Sequence, residues 1–256
     1  MATSTKKPAA KATPGTAVAV KKANSGSLVS IKEQLAAMVA ENDDKVVPSR
    51  GNTIRVTQDK FFLLPNGTKT PGPLELVVVE FASKNMYYEN KFDAKNIVPP
   101  NCYAMGSNPL KLVPAAKAPE PQATDCNACM HSKFGPNSEA PECKGARVLA
   151  VMEPDAKKDS PIWLLATSPT AVRGFDNFVK SAKNLFDMPP IGVVVSVSFD
   201  PAQTYAKLVF SDPQPNVNVG THTARLAEAR AMLLVEPDVS KFVKAPVTRG
   251  RAPARR

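Results

Sequence analysis

The apolar residues of this chain come in short, strand-like runs with prolines and glycines standing between them. Residues 76–79 and 193–195 are purely apolar, and runs of this length fall far below the ~20 residues that span a bilayer as a helix. With 25 prolines among 256 residues, near twice the usual ~5%, a long helical bundle is excluded. The 43% hydrophobic content nonetheless supplies a core, which excludes a wholly disordered chain.

Strand patterning marks residues 53–57 (TIRVT), 60–64 (KFFLL), 74–82 (LELVVVEFA), 147–153 (RVLAVME), 162–167 (IWLLAT), 193–199 (VVVSVSF) and 205–211 (YAKLVFS). Gln58-Asp59, Asn66-Gly67 and Asp200-Pro201 are the turn signals beside them. One helix is well marked. Ser168 is a natural N-cap and Pro169 a natural first residue. Val172, Phe175, Val179, Ala182 and Phe186 then line one face, and Pro189-Pro190 stops the run. Leu28, Ile31, Leu35, Met38 and Val39 predict an amphipathic helix over about 30–42, and Leu226, Ala229 and Leu233 another over about 221–235. The pattern predicts a mainly β (α+β) fold, a small β-barrel or sandwich with two or three helices added.

Charge divides the chain into three parts. Residues 1–27 hold five lysines and no acid, and residues 241–256 hold six basic side chains and no acid. Between them, residues 28–240 hold 22 basic and 23 acidic side chains, a near-neutral body. The two ends carry almost nothing apolar to bury and read as disordered basic tails. Such tails attract polyanions by counterion release without sequence preference. No apolar segment follows the first lysines in the manner of a secretory signal, so a cytoplasmic location is expected.

All four cysteines fall in one stretch: Cys102, then Cys126-Asn-Ala-Cys129, then Cys143. A C-x2-C pair lets two thiolates face one ion, and two further cysteines complete a tetrahedral set. The surrounding segment, about 100–146, is rich in proline and poor in core-forming residues, so a metal would give it the order its own packing does not. Two disulfides or four free thiols are the alternatives. A reducing compartment disfavours disulfides, and the spacing predicts a structural zinc, or alternatively an iron–sulfur cluster.

Nothing in the sequence resembles a phosphate-binding glycine loop, a zinc-protease helix or a nucleophile elbow, so the chain is expected not to be an enzyme, with a small-molecule substrate disfavoured. Binding chemistry is better represented. Residues 84–95 (KNMYYENKFDAK) interleave Lys84, Lys91 and Lys95 with Tyr87, Tyr88 and Phe92. Cations that follow phosphates and rings that stack on bases are what a single nucleic-acid strand requires. The expected contacts are Lys84, Tyr87, Tyr88, Lys91 and Phe92, with Phe134 and Arg147 near the cysteine segment.

Taken in order, the strand LELVVVEFA, the pair Tyr87-Tyr88, Pro100-Asn101-Cys102, a proline-rich spacer, Cys126 to Gly135 (CNACMHSKFG) and Cys143 before a further strand form a pattern. It resembles the zinc-containing single-stranded DNA-binding proteins of tailed bacteriophages, across roughly residues 50–212. The resemblance implies an OB-like barrel over 28–240, with Cys102, Cys126, Cys129 and Cys143 as zinc ligands in a loop inserted between strands. It also implies a role in DNA replication or recombination, with partner proteins from those processes. Proteins of this function commonly end in an acidic tail, whereas this chain ends in a basic one, which sets partner recruitment apart from the family pattern. The alternative is a zinc-stabilised structural or regulatory interaction protein whose tails hold nucleic acid non-specifically.

Overall fold

The computed structural model describes residues 51–90 and 97–242, all within one compact unit, Arg50–Arg256. The helix expected over about 30–42, the tail 1–27, most of the tail 241–256, and Lys91 and Phe92 lie outside the described residues. Nine strands form one sheet: β1 (Thr53–Val56), β2 (Phe62–Leu63), β3 (Lys69–Thr70), β4 (Leu74–Tyr87), β5 (Cys102–Gly106), β6 (Lys144–Met152), β7 (Trp163–Ala166), β8 (Val193–Phe199) and β9 (Leu208–Pro215). The α-helices among the described residues are α1 (Val172–Phe186), α2 (Val219–Ala224) and α3 (Leu226–Leu233).

The sheet runs β3-β2-β1-β7-β6-β4-β8-β9, with β5 on the side of β4. It is mixed, because β1 lies parallel to β7 while the remaining pairs are antiparallel. It also curls. Phe62 on β2 stacks on Phe199 of β8 with centroids 4.4 Å apart, although four strands separate β2 from β8 in the order. Beside that stack the Lys60 ammonium donates to the carbonyls of Asp200 (3.2 Å) and Gln203 (2.5 Å). The two ends of the sheet thus meet through side chains rather than a strand ladder. The result is a half-barrel.

Its inner face buries Ile54, Phe62, Leu76, Val78, Leu149, Val151, Leu165, Val193, Val195 and Val197. Helix α1 fills the curve. Phe175 and Phe178 meet the Phe210 ring at 5.3 and 6.2 Å, and Phe81 meets Phe175 edge-on at 5.0 Å. Burying each such ring is worth roughly 1.5–3 kcal/mol, so this aromatic group anchors the helix more firmly than its intrinsic propensity does. The outer face carries a smaller core in which Ala229 and Leu233 of α3 cover Val79, Ala82, Ala150 and Met152. One irregularity serves both cores. A register shift between Val78 and Glu80 places Val79 and Glu80 consecutively on the α3 side, where Glu80 pairs with Arg230 at 2.9 Å. Phe81 then returns to the α1 side, a result expected of a bulge.

Several boundaries differ from the sequence pattern. Ser168 precedes a 3-10 turn, Pro169–Ala171, and its hydroxyl meets the Thr170 hydroxyl rather than capping a backbone N–H. Helix α1 ends before the prolines. Asp187 takes a left-handed conformation (φ 52°) and donates its N–H to the Lys183 carbonyl. Asn66-Gly67 turns the chain between β2 and β3, not directly into β4. The last helix is two, broken at Arg225, whose guanidinium donates to the carbonyls of Lys158 and Ser160. No helix among the described residues is long and apolar enough to cross a membrane.

Candidate nucleic-acid interface

Beyond Val77, its last partner with β8, strand β4 continues for ten residues. The vacated side is taken by β5, with Ser83↔Gly106 through Tyr87↔Cys102 in register, while β6 stays paired on the other side from Met86↔Lys144 inward. These three strands form an arm that extends past the main core. The residues 102–106, read from sequence as part of a metal loop, are therefore a strand. Its apolar Tyr103 and Ala104 are both buried.

Three distant segments are fastened at the end of the arm. The Tyr87 ring lies tilted against the His131 imidazole with centroids 4.3 Å apart. His131 sits in a 3-10 turn, Met130–Ser132, and its Nδ1 meets the Glu142 carboxylate at 2.5 Å. The Cys143 N–H donates to the His131 carbonyl at 2.9 Å. Behind Tyr87, the four cysteines line a narrow cavity of about 20 Å³ together with Pro114, Gln122 and Ala123.

The expected zinc or iron–sulfur centre does not follow from this convergence. Among the described residues, no group of three or more His, Cys, Asp or Glu side chains is arranged to hold a metal ion, and the four cysteines are free thiols rather than disulfides. Burial pushes the Cys102 thiol up, Cys126 to about 11 and Cys143 to about 12, and the neighbouring thiols add to each shift. Without an ion beside them, such groups stay protonated at neutral pH. The order expected from a metal comes instead from the chain's own hydrogen bonds. Ala115 donates to the Tyr103 carbonyl, Glu120 to Asn101, and Cys126 to Leu112. His131, also in this segment, meets Glu142 through Nδ1 and the Tyr87 ring through its imidazole face.

The expected strand contacts are distributed unevenly. Tyr88 follows β4 and is partly exposed, its hydroxyl 3.6 Å from the Met86 sulfur. Phe134, three residues after His131, is 71% exposed. Lys133 beside it has no ion pair among the described residues. Lys84 lies half-buried opposite Met105 and Ala146, and burial pulls its ammonium pKa down. Two of the expected residues make contacts within the fold. The Tyr87 ring lies against His131 and so helps to position the turn. Arg147 faces α1, where its Nε and a terminal nitrogen donate to both Asp176 oxygens at 3.1 and 2.9 Å. That guanidinium is committed to the fold.

A second feature escaped the sequence reading. Between β1 and the connection from β8 to β9 opens a groove of about 730 Å³. Ile54, Val56 and Leu208 lie along it, with the hydroxyl-bearing Thr53, Thr57, Thr167, Ser168 and Thr204 among its lining residues. Arg55 and Tyr205 also line it, and both are exposed. Among the described residues, no carboxylate lines it. The alternation of TIRVT separates Ile54 and Val56 from Thr53, Arg55 and Thr57, but only the curl of the sheet brings Tyr205 opposite them.

Neither the protein-family models, the characterised proteins nor the solved structures compared with the chain contain a match to it.

Proposed function

We propose that this chain is a single-stranded DNA-binding protein with an OB-like body, acting in replication or recombination alongside proteins of those processes. The observation that carries the reading is the grouping at the end of the arm. The Tyr87–His131 stack sets the segment bearing Lys133 and Phe134 beside the end of β4, where Tyr88 follows. Two exposed rings and an ammonium with no ion pair among the described residues supply both base stacking and phosphate attraction, the pair of terms a single strand uses. The curled mixed sheet supports the OB-like assignment, since a partly open barrel leaves a face for a strand to cross. The basic ends add sequence-independent attraction.

The test is fluorescence anisotropy of the full chain with labelled oligo-dT and with duplex of matched length, across a salt series. The wild type is expected to prefer the single strand. Tyr88→Ala with Phe134→Ala is expected to weaken oligo-dT binding by roughly 5-fold or more, at ~1–3 kcal/mol per stacked base, with the salt slope unchanged. Equal affinity for duplex and strand, unaffected by the double substitution, would leave the tails as the sole contact and end this reading.

A further inference from the structure

We propose that the groove between β1 and the β8–β9 connection is a nucleotide-unit site, taking a phosphate against Arg55 and a base against the ring of Tyr205. Charge complementarity argues for an anion. Among the described residues, Arg55 is the one ionisable cation that lines the groove, no carboxylate lines it, and Arg55 has no ion pair. Its neighbours in sequence and space are differently placed. Lys60 is spent on the Asp200 and Gln203 carbonyls, and Lys207 is paired with Asp200 at 3.1 Å. An arginine left free where nearby lysines are engaged is a site for an oxyanion brought from outside, which its forked donors bind two-pronged.

The rest of the lining fits the other half of the ligand. Tyr205 is 47% exposed and contributes a flat face, and the partly buried Val56 also lines the groove. The hydroxyls of Thr53 and Thr204 offer donors and acceptors for sugar and base edges without fixing one sequence, whereas Thr167 accepts from the Arg147 N–H and Ser168 meets Thr170. Thr57 is partly committed, since its hydroxyl donates to the Phe61 carbonyl. A volume of about 730 Å³ lies within the usual range for small-molecule and cofactor sites, ~300–1,000 Å³. The groove is also held open by structure on both sides. The Phe62–Phe199 stack and the Lys60 bonds fix the β8–β9 connection relative to β1, so Tyr205 and Arg55 are presented without a closing motion.

The same chemistry is offered by a free nucleoside monophosphate and by one residue of a strand, and only the second source rests on the single-strand reading above. The experiment therefore uses the full chain with two probes: a labelled oligo-dT of about 16 nucleotides, the upper end of one OB-type site, and thymidine 5′-monophosphate followed by ligand-observed NMR. Arg55→Ala is expected to weaken oligo-dT binding and to lower the salt slope by about 0.7, the share of one phosphate on a single strand. Arg55→Lys should restore the slope. Tyr205→Ala should weaken binding roughly 5-fold or more at an unchanged slope, by the stacking energy of one base, and Tyr205→Phe should keep wild-type affinity. Nucleotide binding lost in Arg55→Ala, in a wild type that ignores oligo-dT, would keep the site and end the single-strand reading. Oligo-dT binding that responds to Tyr88→Ala with Phe134→Ala, while neither probe responds to Arg55→Ala or Tyr205→Ala, would overturn the site and leave that reading standing. Binding of neither probe by the wild type ends both.

Discussion

Tyr87, at the last position of β4, rests its ring on the imidazole of His131, forty-four positions further along the chain, with centroids 4.3 Å apart. The contact joins the end of a long strand to a 3-10 turn that carries Lys133 and Phe134, and Glu142 holds the far side of the imidazole. Ring pairs of this kind contribute about 0.5–1.5 kcal/mol beyond their buried area. His131→Ala is therefore expected to lower unfolding free energy by about 1 kcal/mol in urea titration. Amide exchange should also become faster at Cys143, which donates to the His131 carbonyl. Unchanged exchange there would mean that the turn is held by other contacts.

Arg147 gives the complementary prediction. Sequence position places it beside the cysteine segment and suggests a phosphate contact, yet its side chain is 12% exposed and forked onto Asp176 of α1. Removing it strands a carboxylate that is itself 38% exposed, so the cost falls below the ~3–5 kcal/mol of a fully buried pair, at about 1–2 kcal/mol. Arg147→Ala should show that loss in urea titration with oligo-dT affinity intact. Arg147→Lys should recover little, because an ammonium does not reproduce the fork. A fall in strand affinity without a fall in stability would return Arg147 to the binding surface.

These two residues mark where sequence reasoning stopped. The strands over 53–57, 74–82, 147–153 and 193–199 are visible because their apolar residues alternate or run unbroken. Helix α1 is visible because Phe175, Val179, Ala182 and Phe186 recur at its period. Strand β5 is hidden because CYAMG is short and carries a cysteine that invites a different reading. The metal expectation came from the cysteine spacing, the proline-rich segment around it and the family resemblance, none of which fixes how the four side chains are arranged in space. Arg147 and Tyr87 were legible as an arginine and an aromatic ring, but the partners that occupy them, Asp176 and His131, lie 29 and 44 positions away in sequence. The Arg55–Tyr205 groove depends on the curl of the whole sheet, which no local pattern encodes.

The neutral thiols make stability depend on alkaline pH in a definite direction. An unfolded cysteine ionises near pH 8.5, whereas Cys126 and Cys143 in the folded chain are raised to about 11 and about 12. Between those limits the unfolded state has lost protons that the folded state keeps, so stability falls as pH rises. The contribution is fully present below about pH 8.5 and declines from there through the folded values. Urea midpoints should hold steady from pH 6 to 8 and drop progressively above about 9, and the drop should shrink in Cys143→Ala. A thiol-specific disulfide reagent at pH 8 should react slowly with the native chain and promptly once urea unfolds it. Rapid reaction of Cys102, Cys126 and Cys129 in the native state would contradict their burial.

Lys84 offers a case in which stability and binding should move in opposite directions. Its side chain lies on β4 between Met105 of β5 and Ala146 of β6, and burial pulls its pKa below the usual lysine value. A half-buried ammonium without an ion pair among the described residues is a cost to the fold, and Lys84→Met removes that cost at similar length and volume. Urea titration should show the variant more stable by about 0.5–1 kcal/mol, the usual scale of such a relief. If the lysine meets a phosphate, the same variant should bind oligo-dT more weakly, with a salt slope smaller by about 0.7. A gain in stability with an unchanged slope would remove Lys84 from the interface. A loss of stability would show instead that its methylene stem packs the arm in a way methionine does not reproduce.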